Sequence, residues 1–423
     1  MSKAYQPSCL VVERTKRVRI IQAVVIVSLL GCTMIFSVEP GRTQDVNPTI
    51  NAPDKFAWDL FIKLNHPADL TKGRGIPDNT KKIGSPGLVV WETWKLARTE
   101  VFLPDGAKPS PWDAPAPLAP SPPQRFEPSK LKILKAIALG LPEPGEGVGP
   151  LLDPAELTNE SRMNRPTFEF VVDNELYNVE GQEAFQRDGR KIDFPIDSME
   201  IKGSWKELGA SGSVSTAIMN RYHTADVGGK VYGLVGFHII TKDLPNWFWA
   251  TFEHVDNPPP EIGDVDRSSY PRTPSGSPLP PILKGTKWEN YRLRGTQVDF
   301  TDSRGNPTVL GNTQIEQGFQ ATSSCISCHA NATIGDKLDL PERSFVPPAG
   351  QIRNGANRLT VFFAFISLPI DSLKPDPASD PAILYGPTGH PDPVLFSKGA
   401  TGRPRYTQLD FLWSLRRAKR KKP

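Results

Sequence analysis

Proline sets the first limit on how this chain can fold. The sequence has 44 prolines in 423 residues, and they are dense in two stretches, 104–128 and 258–281. Proline lacks a backbone N–H and has a fixed φ angle, so such stretches cannot supply the regular hydrogen bonds of a helix or a sheet. We predict that both are extended surface connections, which leaves three blocks of foldable sequence at about 51–103, 129–257 and 282–423.

The hydrophobic patterns of these blocks predict their elements. In the first block, apolar residues at helical spacing predict a helix that begins near Asp54 and ends before Pro67. In the middle block, β-branched and aromatic runs predict strands at 168–172, 231–240 and 246–255, the last two forming an antiparallel hairpin. The pattern therefore indicates an α+β fold with a strand-rich middle block, short helices and long proline-rich loops.

The segment from Cys325 to His329, Cys-Ile-Ser-Cys-His, carries the clearest chemical signal. Two thiols three positions apart can add across the two vinyl groups of a haem, and the neighbouring imidazole can then bind the iron. A zinc site would need four ligands, and the chain has no second closely spaced cysteine pair. A dithiol redox site would need a strand–helix context that the flanking sequence lacks. We therefore expect one covalently attached haem c, with Cys325 and Cys328 as thioether anchors and His329 as the proximal iron ligand.

The motif lies in the third block and is expected on a helix. Thr313, with Glu316 three positions later, fits a capping box and predicts a short helix just before the motif. The predicted organisation is a strand-rich part at 51–257, a proline-rich connection at 258–281 and a haem-binding part at 282–423.

The other two cysteines, Cys9 and Cys32, both lie near the N-terminus. Beyond residue 38 the sequence has no cysteine except the motif pair, which excludes an internal disulfide scaffold in that part of the chain. Both motif thiols are therefore free for thioether chemistry.

The N-terminal sequence predicts export. Residues 20–38 are almost entirely apolar, and a helix of this length spans about 28 Å, the lower limit for crossing a bilayer. The segment 1–19 is expected to stay in the cytoplasm because of its cations Arg14, Lys16, Arg17 and Arg19. Residues 39–50 are a predicted linker. The remaining chain would then lie in the periplasm, anchored to the bacterial inner membrane through residues 20–38, a signal-anchor helix.

Two other fates of this leader stay open. Cleavage as a signal peptide would leave a soluble periplasmic protein, and the sequence Leu-Leu-Gly-Cys at 29–32 resembles a lipoprotein processing box with Cys32 as the lipidated residue. A retained anchor is favoured over a cleaved signal peptide because no small-x-small cleavage pattern follows the apolar run. It is favoured over a lipoprotein because processing at Cys32 would leave the apolar residues 33–38 near the new N-terminus.

The charge of the chain bears on its partners. The formal net charge is +4, and basic residues concentrate in the leader and in the tail at 416–422. For an exported chain with so small a net charge, nucleic acid is not an expected partner, whereas redox proteins are.

The second iron ligand is less constrained by the sequence. The common small cytochromes c take a methionine that follows the haem motif, but no methionine follows Met219 here. This difference argues against the small His/Met fold. Met163, Met199 and Met219 stay open as long-range ligands, as does an unfilled sixth position.

Two histidines flank the predicted hairpin turn at about 242–245. His238 and His254 would lie about 16 Å apart along it, so one iron cannot bind both. We favour His254 because the neighbouring carboxylates of Glu253 and Asp256 could accept its ring N–H, and aromatic residues of the same run could line a haem. His238 is the second choice.

The motif resembles that of the c-type cytochromes. About 51–423 resembles, more closely, a poorly characterised group of exported bacterial c-type cytochromes with a single haem. The segments that carry this resemblance are 58–61 with 64–65, 232–239, 249–257, 323–330 and 410–414. It implies haem binding and electron transfer, with no established substrate.

Three functions are compatible with these features. The first is a membrane-tethered periplasmic cytochrome that transfers single electrons to a protein partner. The second is a haem enzyme, peroxidase-like or oxidase-like, with an open distal site, which the large size of the exported part favours. The third is a gas or ligand sensor, or a binding scaffold whose proline-rich segments wrap a partner. Since no hydrolase triad, paired-carboxylate signature or phosphate loop is visible, electron transfer is preferred over catalysis.

Overall fold

The computed structural model describes part of the chain: residues 47–114, 124–125, 157–257, 278–316, 323–330, 332–335, 358–361, 366–369, 389–391 and 406–422. Residues from Pro48 onward form one compact unit. The predicted segments 1–19 and 20–38 and most of the linker 39–50 lie outside the described residues. Among the residues that are described, no helix has both the length and the hydrophobicity needed to cross a membrane.

One antiparallel sheet organises the described residues. Its eight strands are β1 (Lys95–Leu96), β2 (Gln124–Arg125), β3 (Leu157–Met163), β4 (Met199–Ala210), β5 (Thr224–Val227), β6 (Lys230–Thr241), β7 (Phe248–His254) and β8 (Tyr291–Gln297). The strand order is β1-β3-β4-β6-β7-β8; β2 pairs with β3 and β5 pairs with β6. Since this sheet joins strands from both sides of both proline-rich stretches, the predicted blocks share one sheet.

Short helices and smaller sheets complete the described fold. The helices are α1 (Pro48–Asn51), α2 (Pro53–Leu64), α3 (Arg165–Asp173), α4 (Val179–Arg187), α5 (Thr216–Arg221) and α6 (Cys325–Ala330). The remaining strands are β9 (Thr333–Gly335), β10 (Arg358–Val361), β11 (Ile366–Pro369) and β12 (Tyr406–Gln408), with β9 paired to β12 and β10 to β11. The described fold is thus mixed α and β, dominated by an antiparallel sheet.

Helix α2 confirms the first predicted helix. Proline occupies its first position, where the missing N–H costs nothing. Asn65, just past its end, donates from Nδ2 to the carbonyl oxygen of Phe61 at 2.9 Å and so satisfies one of the last carbonyls. Strands β6 and β7 likewise confirm the predicted hairpin, with Ile240 opposite Trp249 and His238 opposite Thr251.

The strand predicted at 168–172 is wrong, because these residues belong to helix α3. Asn164 precedes the helix, and its side chain accepts the backbone N–H three residues later at 3.2 Å. Pro166 lies in the first turn, where its fixed φ angle suits a helix. Phe168 and Val171, three residues apart, are both buried, so a helix buries the apolar side chains that the local run assigned to a strand.

The first proline-rich stretch also differs from its prediction at one point. Residues 102–114 contain no helix or strand, as expected, but Gln124 and Arg125 form β2 and pair with Asn159 and Thr158 at the sheet edge. Two successive residues that are not proline are enough to form the backbone hydrogen bonds of a short strand at a sheet edge. Of the second stretch, residues 258–277 lie outside the described part.

Strands β6 and β7 are buried on both faces. On the face that we call the core face, Phe237 and Phe252 pack against Phe61 of α2, with ring centroids 6.1 Å and 4.4 Å apart. Side chains alternate along a strand, so the neighbouring residues point to the opposite, mixed face. The mixed face of these strands carries His238, Ile240, Trp249, Thr251 and Glu253.

Truncating the centre of the core face should destabilise the fold strongly. Phe252 is fully buried, so Phe252→Ala is expected to lower the free energy of unfolding by about 3–5 kcal/mol, as measured by urea denaturation. Ile196 is 73% exposed, and Ile196→Ala is the control that should change it by less than about 0.5 kcal/mol. Equal effects of the two substitutions would contradict this packing.

Candidate functional site

Helix α6 brings the three motif side chains to one side. Residues three and four positions apart share a helical face, so Cys325, Cys328 and His329 project together, whereas Ser327 projects from the opposite side. His329 lies against Trp249, with ring centroids 4.6 Å apart. The helix therefore lies on the mixed face of the sheet.

The start of α6 is fixed to the end of β8. The Ser324 hydroxyl accepts the backbone N–H of Ser327 at 3.3 Å and so caps the helix. Gln297, fully buried on β8, donates from Nε2 to that hydroxyl at 3.1 Å and accepts the N–H of Ile326 at 3.2 Å through Oε1. Both groups of the amide are thus used to hold the helix.

The imidazole of His329 is held in one tautomer. Its Nδ1 lies 2.7 Å from the carbonyl oxygen of Phe411, which can only accept, so the proton is on Nδ1. Burial lowers the pKa of His329 to about 3, so the ring is neutral at pH 7. Among the described residues, none hydrogen-bonds Nε2, which leaves its lone pair available for a metal.

The carbonyl that binds His329 belongs to a strained turn. Asp410 and Phe411 have φ angles of 46° and 68°, in the left-handed region that costs a non-glycine residue about 1–3 kcal/mol. The buried carboxylate of Asp410 lies 2.7 and 2.8 Å from Nζ of Lys242 and accepts the N–H of Phe194 at 2.7 Å. These contacts hold the turn in place, and the carbonyl of the turn orients His329.

The motif thiols form no disulfide with each other. Cys325 is buried and Cys328 half-buried. Burial raises the pKa of Cys328 to about 12 and holds that of Cys325 well above its usual range, so both are protonated at pH 7. Disulfide exchange needs the thiolate. Within the described part of the chain, no group of three His, Cys, Asp or Glu side chains is arranged to hold a metal ion.

The short helix predicted from Thr313 falls only in part on the described residues. Residues 313–316 form a turn, and the residues that follow lie outside the described part. Asn312, one position earlier, accepts the N–H of Gln314 at 2.9 Å, and Glu316 accepts the N–H of Asn312 at 2.8 Å. Thr313 instead donates its hydroxyl to Glu253 of β7 at 2.7 Å, which fixes the turn to the mixed face.

His238, the second-choice ligand, lies on this mixed face. Its Nε2 is 3.6 Å from Oε2 of Glu316, and its neighbour across the β4–β6 pair is Lys202. Burial lowers the pKa of Lys202. His238, Glu316 and Lys202 are half-buried, so the mixed face beside α6 is polar and partly open.

His254, the first-choice ligand, is not brought to the motif. It is five residues after Trp249 on β7, so it faces the opposite side, about 17 Å away along the strand. Both ring nitrogens are occupied: Nε2 donates to the carbonyl of Arg221 at 3.2 Å, and Nδ1 accepts the N–H of Asp256 at 3.1 Å. Its ring is stacked on Tyr222, 3.7 Å between centroids.

The two carboxylates predicted to accept the ring N–H of His254, those of Glu253 and Asp256, pair instead with arginines. The carboxylate of Asp256 pairs with Arg221, and Glu253 on the mixed face pairs with Arg292 at 2.6 Å. Of the open methionine candidates, Met163 and Met199 belong to the buried core and Met219 is 36% exposed on α5.

Sequence reasoning missed the residues that orient the motif. Gln297, Lys242 and Asp410 belong to no recognisable motif, and Phe411 bonds His329 through its backbone carbonyl, a group that every residue type has. Lys242, Asp410 and Phe411 are each more than 80 residues from the motif in sequence. Only the folded topology therefore identifies them. The aromatic segment at 410–414 was the one signal present in the sequence.

The chain matches no protein-family model, no curated protein and no solved structure. The chemistry of the site itself therefore carries the functional inference.

Breaking the ion pair beneath the Phe411 turn should destabilise the protein. Lys242→Met leaves the carboxylate of Asp410 buried without its cation, and we expect a loss of about 3–5 kcal/mol in urea denaturation. Lys191→Met is the control: Lys191 pairs with Asp193 at the surface and should have no measurable effect. A Lys242→Met variant as stable as the parent would contradict the role of this pair.

Glu200 predicts a pH dependence of stability. It lies two residues before Lys202 on β4, is 6% exposed, and burial raises its pKa to about 7 from an ordinary value of 4.5. Between pH 4.5 and pH 7 the carboxyl of Glu200 is ionised in the unfolded state but still protonated in the folded state. Raising the pH through this range therefore lowers the free energy of unfolding.

Glu200→Gln removes this titration. Relative to the parent, the variant should gain up to about 3 kcal/mol of stability between pH 4.5 and pH 7.5, as measured by urea denaturation at each pH. Glu169→Gln, at an exposed position, should show no such trend. If the stabilities of Glu200→Gln and of the parent changed equally with pH, the raised pKa of Glu200 would be ruled out.

Proposed function

We propose that this protein binds one haem c covalently through thioethers at Cys325 and Cys328, with His329 as an iron ligand, and transfers single electrons. The observation that carries the proposal is the bond from His329 Nδ1 to the Phe411 carbonyl, 2.7 Å long, on a helix whose two thiols project to the same side. That bond leaves Nε2 for the iron, as in histidine ligands oriented by a second partner.

The chemistry of the donor set fits a haem better than the alternatives. Neither thiol is in a disulfide, and the raised pKa values of both disfavour a dithiol redox site. A zinc site needs four ligands, and among the described residues no group of three His, Cys, Asp or Glu side chains is arranged to hold a metal ion. The imidazole is neutral, which is the form that binds iron. A bound haem supplies a one-electron iron couple.

The residues of this chain would hold the group and limit its access to water. Trp249 and Trp413 lie beside the His329 ring, with centroids 4.6 and 6.5 Å away. Cys328 and His329 are half-buried, so an edge of the site stays accessible to a protein partner. Limited exposure of this kind suits electron transfer, which needs proximity to a partner and no bound substrate.

Haem attachment of this type also implies a compartment. Thioether formation to an exported bacterial chain takes place outside the inner membrane, so we propose a periplasmic location with residues 20–38 as a retained anchor. Redox proteins of that compartment are the proposed partners.

Covalent attachment is testable by substitution. The full chain, produced in a bacterium that matures c-type haem, should be coloured, and its haem should stay with the polypeptide in a denaturing gel. Cys325→Ser with Cys328→Ser should abolish that retained haem, because no thioether can form. Cys32→Ser, which alters a cysteine outside the motif, should retain it. A colourless parent protein would refute the proposal.

Electron transfer is separable from catalysis. The purified protein should be reduced and reoxidised reversibly by one-electron dyes, and it should consume no hydrogen peroxide beyond one equivalent. Sustained peroxide turnover that is lost in His329→Ala would contradict the carrier function and would favour a peroxidase-like enzyme.

A further inference from the structure

The proposed function leaves the other side of the iron unassigned, and the sheet topology restricts which side chains can reach it. His238 on β6 is directly opposite Thr251 on β7, so their side chains share a face. Trp249, two residues away on the same face, contacts His329. His238 and Trp249 are thus diagonal neighbours on adjacent strands, about 7–8 Å apart. His238 therefore lies close to the motif.

The ring of His238 has an unused nitrogen. Its side chain is 12% exposed, and Nε2 is buried with no hydrogen-bond partner among the described residues. The nearest carboxylate oxygen, on Glu316, is 3.6 Å away, which is too long for a hydrogen bond. Buried imidazole nitrogens are normally paired, so an orphaned one indicates a missing partner.

The carboxylate of Glu316 is itself held in place, because it accepts the backbone N–H of Asn312 at 2.8 Å. Asn312 is bonded to β7, through Thr251 at 3.0 Å and the carbonyl of Phe252 at 2.9 Å. The turn that carries Glu316 is thus bonded to the same face of the sheet as His238, with the carboxylate 3.6 Å from Nε2.

The other described histidines are engaged elsewhere. His254 faces the core side with both nitrogens bonded. His223 bonds Glu92 through Nε2 at 2.9 Å; its Nδ1 has no partner among the described residues, but the ring is stacked on Trp288 in the core. His66, just after α2, lies with Nδ1 3.2 Å from the carbonyl oxygen of Pro67.

His390 is exposed and stacked on Phe300. Gly389, beside it, lies near the hydroxyl of Ser327, on the side of α6 opposite to the motif side chains.

We propose that His238 is the second protein ligand of the haem iron, opposite His329. The inference rests on the proposed function, since it presupposes the haem. Two imidazoles would make the iron six-coordinate and low-spin, which leaves no open position for a gas or peroxide and so favours a carrier over an enzyme or sensor.

Optical spectra of the full chain test this assignment. The parent should be low-spin in both oxidation states and should not bind carbon monoxide when reduced. His238→Ala should become high-spin and bind carbon monoxide, and added imidazole should restore the low-spin spectrum. His254→Ala and His390→Ala are matched controls whose spectra should equal that of the parent.

His238→Met provides a second variant in case alanine impairs folding. A thioether in that position should keep the iron low-spin and raise the midpoint potential, since His/Met ligation favours the reduced state. A parent that is high-spin, or a His238→Ala variant that stays low-spin with its covalent haem retained, overturns the ligand assignment alone. A parent without covalent haem overturns the proposed function instead.

Discussion

The burial of strands β6 and β7 on both faces is the constraint on which the described structure depends. The core face packs aromatic side chains against α2, as Phe252 does against Phe61, 4.4 Å between ring centroids. The mixed face carries Trp249, Thr251 and Glu253, which contact α6 and the turn before it. Because the side-chain period of a strand is two, each residue is committed to one face or the other.

The mixed face differs from an ordinary core because polar groups fix its geometry. Gln297 holds the start of α6, and the Lys242–Asp410 pair holds the turn whose carbonyl at Phe411 binds His329. Buried polar contacts of this kind cost stability unless they are fully paired, and both groups are hydrogen-bonded here. The two left-handed residues, 410 and 411, lie in the turn that bonds His329.

Local patterns predicted the elements whose signals are local. Helix α2, the β6–β7 hairpin and the helix at the motif follow from apolar spacing, a turn and the motif itself. Residues 168–172 form a helix because Asn164 and Pro166 set a helix start that outweighs a short apolar run. The preference for His254 over His238 depended on local neighbours, whereas the face on which α6 docks depends on Gln297 and Phe411, which are distant in sequence.

The mass of one tryptic peptide tests the central claim most directly. Cleavage after Arg304 and Lys337 releases residues 305–337, which contain the whole motif and no internal lysine or arginine. From protein matured in a haem-attaching bacterium, this peptide should be heavier than its sequence by one haem and should absorb in the Soret region. A peptide of unmodified mass, with both thiols free to alkylate, would contradict the account.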